Sequence, residues 1–217
     1  MTKKYTQKIL LILKKSYPDA KIALYFGDDF QLLLAVILSA QCTDERVNKV
    51  TPKLFEKYPT VVDFANAKVT DIEKLIFSTG FYKNKSKNIK AAAKRIVDTY
   101  KGKVPSNMKD LLTLPGVARK TANVILQTAF NKSEGIVVDT HVIRLSGRLG
   151  FVSAKLAKSK NAVKIETELI KIIPKKDWGI ISMLLILHGR QICKSRKPAC
   201  EKCALNKLCP SAFKLPK

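Results

Sequence analysis

The chain has 217 residues, of which 46% are hydrophobic, so it is long enough to bury a core in one large domain or two small ones. Lysine and arginine outnumber aspartate and glutamate by 41 to 17, and the net charge of +24 favours a polyanionic partner, although ribosomal, membrane-surface and generic lysine-rich proteins share this trait. Its longest apolar run is far shorter than the roughly 20 residues that cross a bilayer and its basic start lacks a secretory signal, so we expect a soluble, cytoplasmic protein.

Nearly every segment has the apolar spacing of a helix, and this pattern predicts an all-α fold. The segment Gln41-Cys42-Thr43-Asp44 follows an almost entirely apolar helix, and Thr43 or Asp44 is suited to cap the next one. A Ser-Thr-Gly turn at residues 78–80 precedes a basic helix. The predicted helices that matter below are Phe30 to Ala40, Lys83 to Tyr100, Met108 to Leu114, Arg119 to Phe130, Ala157 to Ile173 and Asp177 to Gln191.

The stretch LPGVARKTA, residues 114–122, predicts two helices joined by a tight turn. Pro115 fixes φ and Gly116 accepts a positive φ, so the second helix is expected to begin near Arg119. The first N–H groups of a helix lack intrahelical partners and carry partial positive charge, and a glycine before them lets a phosphate approach. The stretch therefore indicates a phosphate-binding hairpin; the plainer interpretation is a basic turn leading into a surface helix.

Lys120 and Asp139 are the candidate chemical groups. The positive helix end and an expected partial shielding from water both disfavour the ammonium form of Lys120, and a free lysine amine is a nucleophile that forms Schiff bases. Asp139 precedes the helical pattern of Val142 and Leu145, so it is also a candidate N-cap.

Four cysteines close the sequence with the spacing C-x6-C-x2-C-x5-C, at Cys193, Cys200, Cys203 and Cys209. Zinc and iron–sulfur centres both accept four thiolates, and disulfides are a third possibility. Cys42 stands apart and is expected to be a small apolar residue. The basic loop between the first two cysteines is a candidate phosphate contact or a solvated loop, and it contains Lys194, Arg196 and Lys197.

The motifs LPGVARKTAN, VDTHVIRL and the cysteine tail together resemble the endonuclease III family of helix-hairpin-helix DNA glycosylase/AP lyases. LSAQCTD, STGFYKNK and ILHGR extend the resemblance over nearly the whole chain. The resemblance implies two helical domains flanking a DNA-binding cleft. One is a six-helix barrel over residues 22–132 with the hairpin, and the other joins residues 1–21 to 133–217 and carries a [4Fe-4S] cluster on the four cysteines.

The same resemblance assigns the site residues. Lys120 corresponds to the catalytic lysine and Asp139 to the catalytic aspartate. Gln41 and Phe81 correspond to side chains inserted into the gap that a flipped nucleotide leaves, although Phe81 replaces a leucine and is otherwise a core candidate. Gly116, Ala118 and Arg119 are the expected hairpin contacts with DNA, with Ala118 at a position that is often glycine. His141 and His188 are expected to be structural or to face phosphate.

The resemblance thus implies base excision repair of oxidised or reduced pyrimidines by a monomer that binds duplex DNA with damaged bases or abasic sites and associates with the nucleoid. A mismatch-specific glycosylase of the same superfamily is one alternative. A non-catalytic DNA-binding iron–sulfur protein is the other. The lysine at position 120 argues against the first alternative, and Lys120 and Asp139 together argue against the second.

Overall fold

A computed structural model describes residues 3–214, and these form helices and connecting turns with no β-strand among them. The predicted all-α fold class is confirmed. Within residues 3–214, no helix combines the length and the apolar composition needed to cross a bilayer. The helices are α1 (Lys3–Ser16), α2 (Asp29–Leu38), α3 (Asp44–Lys57), α4 (Val61–Asn66), α5 (Val69–Ile76), α6 (Tyr82–Tyr100), α7 (Met108–Leu111), α8 (Arg119–Phe130), α9 (Thr140–Arg148), α10 (Ala154–Ser159), α11 (Ala162–Ile172) and α12 (Trp178–Gln191).

The chain divides into two compact units. The continuous unit is Ala23–Lys132 and contains α2 to α8. The discontinuous unit combines Met1–Ile22 with Ser133–Lys217 and contains α1 and α9 to α12.

The continuous unit is built around α2, which is buried from Leu32 to Leu38. Helices α3, α6 and α8 pack against it, and α4 and α5 pack against α6. Burial on every side explains why the sequence of α2 lacks a polar face. The next helix begins at the predicted break, where Thr43 rather than Asp44 is the cap, because its hydroxyl oxygen accepts from the N–H of Arg46 at 3.2 Å.

The discontinuous unit has its own apolar core, in which α1 and α9 both pack on α12. Two side chains also tie α1 to this unit. The Tyr5 hydroxyl donates to the carbonyls of Leu149 and Leu208, and Lys14 forms a 2.6 Å ion pair with the nearly buried Asp177. The first helix of the sequence is therefore anchored on segments more than a hundred residues later in the chain.

Two predicted helices differ from the structure. The helix predicted from Ala157 to Ile173 is two helices, because Lys160 has a left-handed backbone (φ 54°) and Asn161 starts α11 by accepting from the N–H of Lys164 at 3.0 Å. The first hairpin helix, predicted from Met108 to Leu114, ends at Leu111. Short turn hydrogen bonds complete the segment up to Leu114.

Helices α9 and α10 approach closely at Gly147. A Cβ atom added there would lie 2.6 Å from the Cβ of Ala157, which is closer than two carbon atoms can pack. We expect Gly147→Ala to lower the free energy of unfolding by about 1–3 kcal/mol, despite the better helix propensity of alanine, because the helices must separate. Urea unfolding measures the change.

The matched control is the double variant Gly147→Ala/Ala157→Gly, which moves the methyl group from one helix to the other. It should recover much of the lost stability. A single variant as stable as the parent protein would contradict the steric explanation.

Candidate functional site

The hairpin between α7 and α8 has the backbone that the sequence predicts. Gly116 has φ 81°, and a Cβ there would meet the Cβ of Asn88 at 3.0 Å, so both the conformation and the contact with α6 favour glycine. The N–H of Val117 donates to the carbonyl of Leu114 at 3.1 Å and closes the turn. Ala118 is the extended N-cap residue of α8 and provides no side-chain acceptor.

Lys120 is the second residue of α8, at the positive end of the helix dipole. Arg119 and Lys120 are both exposed. The expected partial shielding of Lys120 from water is therefore wrong. Because Ala118 supplies no side-chain oxygen to the first turn, backbone N–H groups and two cationic side chains lie together at this end.

Asp139 is the N-cap of α9, as the sequence predicts. Its Oδ1 accepts from the N–H of Val142 at 2.8 Å, and the residue is half-buried. The carboxylate also acts on His141, whose pKa is lowered chiefly by burial while Asp139 opposes that shift. Arg144 completes the cluster with Nη2 at 3.1 Å from the Nδ1 of His141. His141 is thus a half-buried structural neighbour of Asp139.

Gln41 and Phe81 lie in two loops of the continuous unit, and both have left-handed backbones, with φ of 54° and 47°. Non-glycine residues adopt this conformation at a cost and often do so where function fixes the backbone. Gln41 is exposed, and Phe81 is 63% exposed, so the interpretation of Phe81 as a core residue is wrong. Gly80 (φ 69°) precedes Phe81 and allows the turn before it.

The sequence did not single out Lys85, yet it connects these two loops. Its side chain is 5% exposed, and Nζ donates to the carbonyl of Leu38 at 2.7 Å and to that of Thr79 at 2.8 Å. In the sequence Lys85 is one of many lysines in a basic helix. Nothing in the periodicity of the sequence distinguishes it from its neighbours. In the structure, Lys83 and Lys87 are exposed, whereas Lys85 and Ser86 are buried.

The four cysteines line one cavity of the discontinuous unit. Among residues 3–214, no three His, Cys, Asp or Glu side chains converge closely enough to hold a single metal ion. Four cysteine thiols that line one cavity are the donor set of an iron–sulfur cluster, and four-cysteine zinc sites use the same donors.

His188 is part of the wall of this cavity. It is 4% exposed, its Nδ1 is 3.0 Å from the Tyr17 hydroxyl, and its Nε2 is 3.4 Å from the Sγ of Cys203. Burial lowers the pKa of His188 to about 4, so the neutral imidazole is the form that packs here. Its expected structural role agrees with these contacts.

The basic loop after Cys193 is fixed through its backbone. Nη1 of Arg148 donates to the carbonyl of Lys194 at 2.7 Å, and Nη2 donates to that of Ser195 at 2.8 Å. The same guanidinium lies 3.3 Å from the Sγ of Cys193. The side chains of Lys194, Arg196 and Lys197 are exposed, and Lys197 has a left-handed backbone (φ 50°).

Comparison with known proteins agrees with this geometry. Residues 34–175 match the family described as HhH-GPD superfamily base excision DNA repair protein. The chain is 54% identical to endonuclease III of Synechocystis over 97% of its own length and 94% of the relative's. It is 42% identical to endonuclease III of Bacillus subtilis over 89% and 86% of the two chains.

A solved structure of a trapped endonuclease III–DNA covalent intermediate superimposes with a TM-score of 0.89 at 43% identity, over 99% of this chain and 98% of that one. Both the sequence and the fold are thus shared over almost the full length of these relatives. The chain therefore belongs to the endonuclease III family of the HhH-GPD base excision repair superfamily, and it is a DNA glycosylase/AP lyase.

Proposed function

We propose that this enzyme removes oxidised or reduced pyrimidines from duplex DNA and then cuts the strand, with Lys120 as nucleophile and Asp139 as its carboxylate partner. The observation that carries the proposal is the placement of Lys120, an exposed amine in the first turn of a helix that follows a Pro-Gly hairpin and has no side-chain cap. That a relative has been trapped covalently on DNA supports the same chemistry here.

The reaction begins with the free amine of Lys120. Its Nζ attacks C1′ of the flipped nucleotide, the bond from C1′ to the base breaks, and the base leaves with the electron pair. Opening of the sugar ring gives a Schiff base between Nζ and C1′. This cation acidifies the C2′ proton, whose removal expels the 3′ phosphate and breaks the C3′–O bond. Water then releases the lysine.

Asp139 stabilises the positive charge that develops on the sugar as the base departs. A carboxylate that already accepts from the N–H of Val142 is oriented before substrate arrives, and preorganised charge of this kind is the larger part of many catalytic effects. Capping α9 and stabilising the sugar are compatible, because a carboxylate has two oxygens and further lone pairs.

Duplex DNA is the partner of the remaining surfaces. The N–H groups at Gly116 and Ala118 and the charge of Arg119 bind a phosphate near the flipped nucleotide. Gln41 and Phe81 fill the gap in the stack, and the aromatic ring of Phe81 stacks on a neighbouring base. Lys194, Arg196 and Lys197 contact the backbone from a loop that Arg148 stiffens.

The cofactor we propose is a [4Fe-4S] cluster bound by Cys193, Cys200, Cys203 and Cys209. Support comes from the cavity that the four thiols share and from the membership of the chain in the endonuclease III family. When bound, the cluster cross-links a segment whose regular structure is limited to one short 3-10 turn at Cys200–Lys202. Arg148 donates to Cys193 and the N–H of Leu205 lies 3.4 Å from the Sγ of Cys203, so donors already surround the sulfurs.

The two units of the chain fit the proposed domain arrangement of the family. The continuous unit would be the six-helix barrel domain that carries the hairpin, and the discontinuous unit would carry the cluster. We propose that the enzyme acts as a monomer.

Loss of the Lys120 amine should abolish covalent chemistry. We expect Lys120→Ala to give no borohydride-trapped adduct and no nicking of abasic duplex DNA, because the proposed Schiff base forms on the amine that this change removes. The measurement is gel mobility of the adduct on duplexes that carry thymine glycol, a reduced pyrimidine, a mismatch or an abasic site.

The control is Lys158→Ala, which removes an exposed lysine of α10 and should trap as the parent does. Lys120→Gln should still bind abasic DNA, because the hairpin N–H donors remain. Adduct formation by Lys120→Ala would refute the proposed nucleophile. Turnover on mismatches but not on thymine glycol would refute the proposed substrate.

The two roles of Asp139 are separable by substitution. Asparagine is as good an N-cap as aspartate, so Asp139→Asn should change stability by less than about 0.5 kcal/mol and still slow single-turnover base release by about 100-fold or more. Asp139→Ala loses the cap as well and should cost about 1 kcal/mol of stability. Base release at the wild-type rate by Asp139→Asn would contradict the catalytic role of Asp139 and leave only its role as the N-cap of α9.

Iron and sulfide analysis tests the metal centre. We expect about four iron and four sulfide per chain, as a [4Fe-4S] cluster requires, and loss of both in Cys203→Ser. Cys42→Ser is the matched control and should keep them, because Cys42 does not line the cysteine cavity. One zinc per chain, with no sulfide, would contradict the cluster.

A further inference from the structure

Lys85 is a buried lysine whose ammonium group donates hydrogen bonds to two backbone carbonyls. Its two acceptors, the carbonyls of Leu38 and Thr79, lie 47 and 6 residues away in the sequence. Burying an ammonium costs free energy unless acceptors replace water, and two short charge-assisted hydrogen bonds do so here. Burial lowers the pKa of Lys85, and nearby Cys42 acts in the opposite direction.

Each acceptor ends the element that leads into one loop. Leu38 is the last residue of α2, three residues before Gln41, and Thr79 ends a 3-10 turn two residues before Phe81. Carbonyls at the end of a helix lack intrahelical donors and favour a cation. One ammonium therefore satisfies the ends of both elements and fixes the distance between them.

The backbone of Lys85 contacts the second loop as well. Its N–H donates to the carbonyl of Phe81 at 3.0 Å, and the N–H of Asn84 donates to the same oxygen at 3.0 Å. Phe81 thus has its left-handed backbone fixed by the first turn of α6. The side chain of Lys85 therefore reaches both loops, and its backbone N–H adds a second contact with the Phe81 loop.

The donors of the Lys85 ammonium group matter here, and not only the volume of the side chain. An apolar residue of similar length, such as methionine, could fill the space, but it would leave two buried carbonyls without a donor. The exposed side chains of Gln41 and Phe81 have little packing of their own to set their separation. Their spacing depends on the hydrogen bonds beneath them.

We propose that Lys85 is a positioning residue that fixes the Gln41 and Phe81 loops relative to each other, so that both side chains enter the gap in the duplex together. This inference rests on the insertion roles proposed above for those two residues. It assigns Lys85 to the flipping step, and it leaves the lysine chemistry at C1′ to Lys120.

The test compares Lys85→Met with Lys87→Met, which removes the same charge from the exposed face of α6. We expect Lys85→Met to slow single-turnover release of thymine glycol from duplex DNA by about tenfold or more and Lys87→Met to change it by less than about twofold. Borohydride trapping on a preformed abasic site in single-stranded DNA, where no gap needs filling, should be nearly unchanged in both. Fluorescence of 2-aminopurine beside the lesion reports flipping directly and should rise more slowly in Lys85→Met.

A double-mutant cycle separates positioning from general damage to the fold. In a Gln41→Ala/Phe81→Ala background, Lys85→Met should cost little further activity, because the side chains that it positions are gone. An equal loss in that background, or wild-type flipping by Lys85→Met, would overturn the inference. If Gln41→Ala/Phe81→Ala excises normally, the insertion roles themselves are wrong.

Lys85→Arg keeps the proposal testable if Lys85→Met does not fold. It retains charge and donors but places them further from Cα. We therefore expect Lys85→Arg to fold, and to release the damaged base more slowly than Lys87→Arg does. Equal rates for the two arginine variants would show that the position of the ammonium does not matter.

Discussion

Carbonyl groups of irregular loops that lack backbone donors are the constraint on which this structure depends. The functional residues lie in loops and at helix starts, where the backbone cannot satisfy itself, and long cationic side chains supply the missing donors. Lys85 does so for the loops of Gln41 and Phe81, and Arg148 does so for the loop after Cys193. The large positive charge of the chain is thus more than a surface property, because some of its cations are structural.

The two candidate catalytic groups use helix starts in opposite ways. Asp139 closes the first turn of α9 with its own carboxylate, whereas Ala118 provides no side-chain oxygen to α8. The capped start orients a negative charge. The start without a side-chain cap presents N–H groups and Lys120 to an anionic ligand. This difference follows from one residue type at each N-cap position, and it is visible in the sequence.

The sequence predicted what depends on local patterns. The bounds of α8, the cap at Asp139, the positive φ of Gly116 and the loop position of Gln41 all follow from residue types within a few positions of one another. The break at Lys160 was missed because a left-handed lysine leaves no mark in the sequence, and the apolar spacing hid the N-cap at Asn161. Lys85 and Arg148 were missed because each binds a carbonyl more than forty residues away, a distance over which spacing carries no information.

The anchoring of α1 has a consequence for the order of synthesis. The partners of Tyr5 and Lys14 include Leu149, Asp177 and Leu208, which leave the ribosome long after α1 does. The segment from Ala23 to Lys132 is complete well before them and is free to fold first, since domains generally fold as units in the order of synthesis. The apolar face of α1 is therefore synthesised well before the segments that cover it, and it stays uncovered in the nascent chain until they emerge.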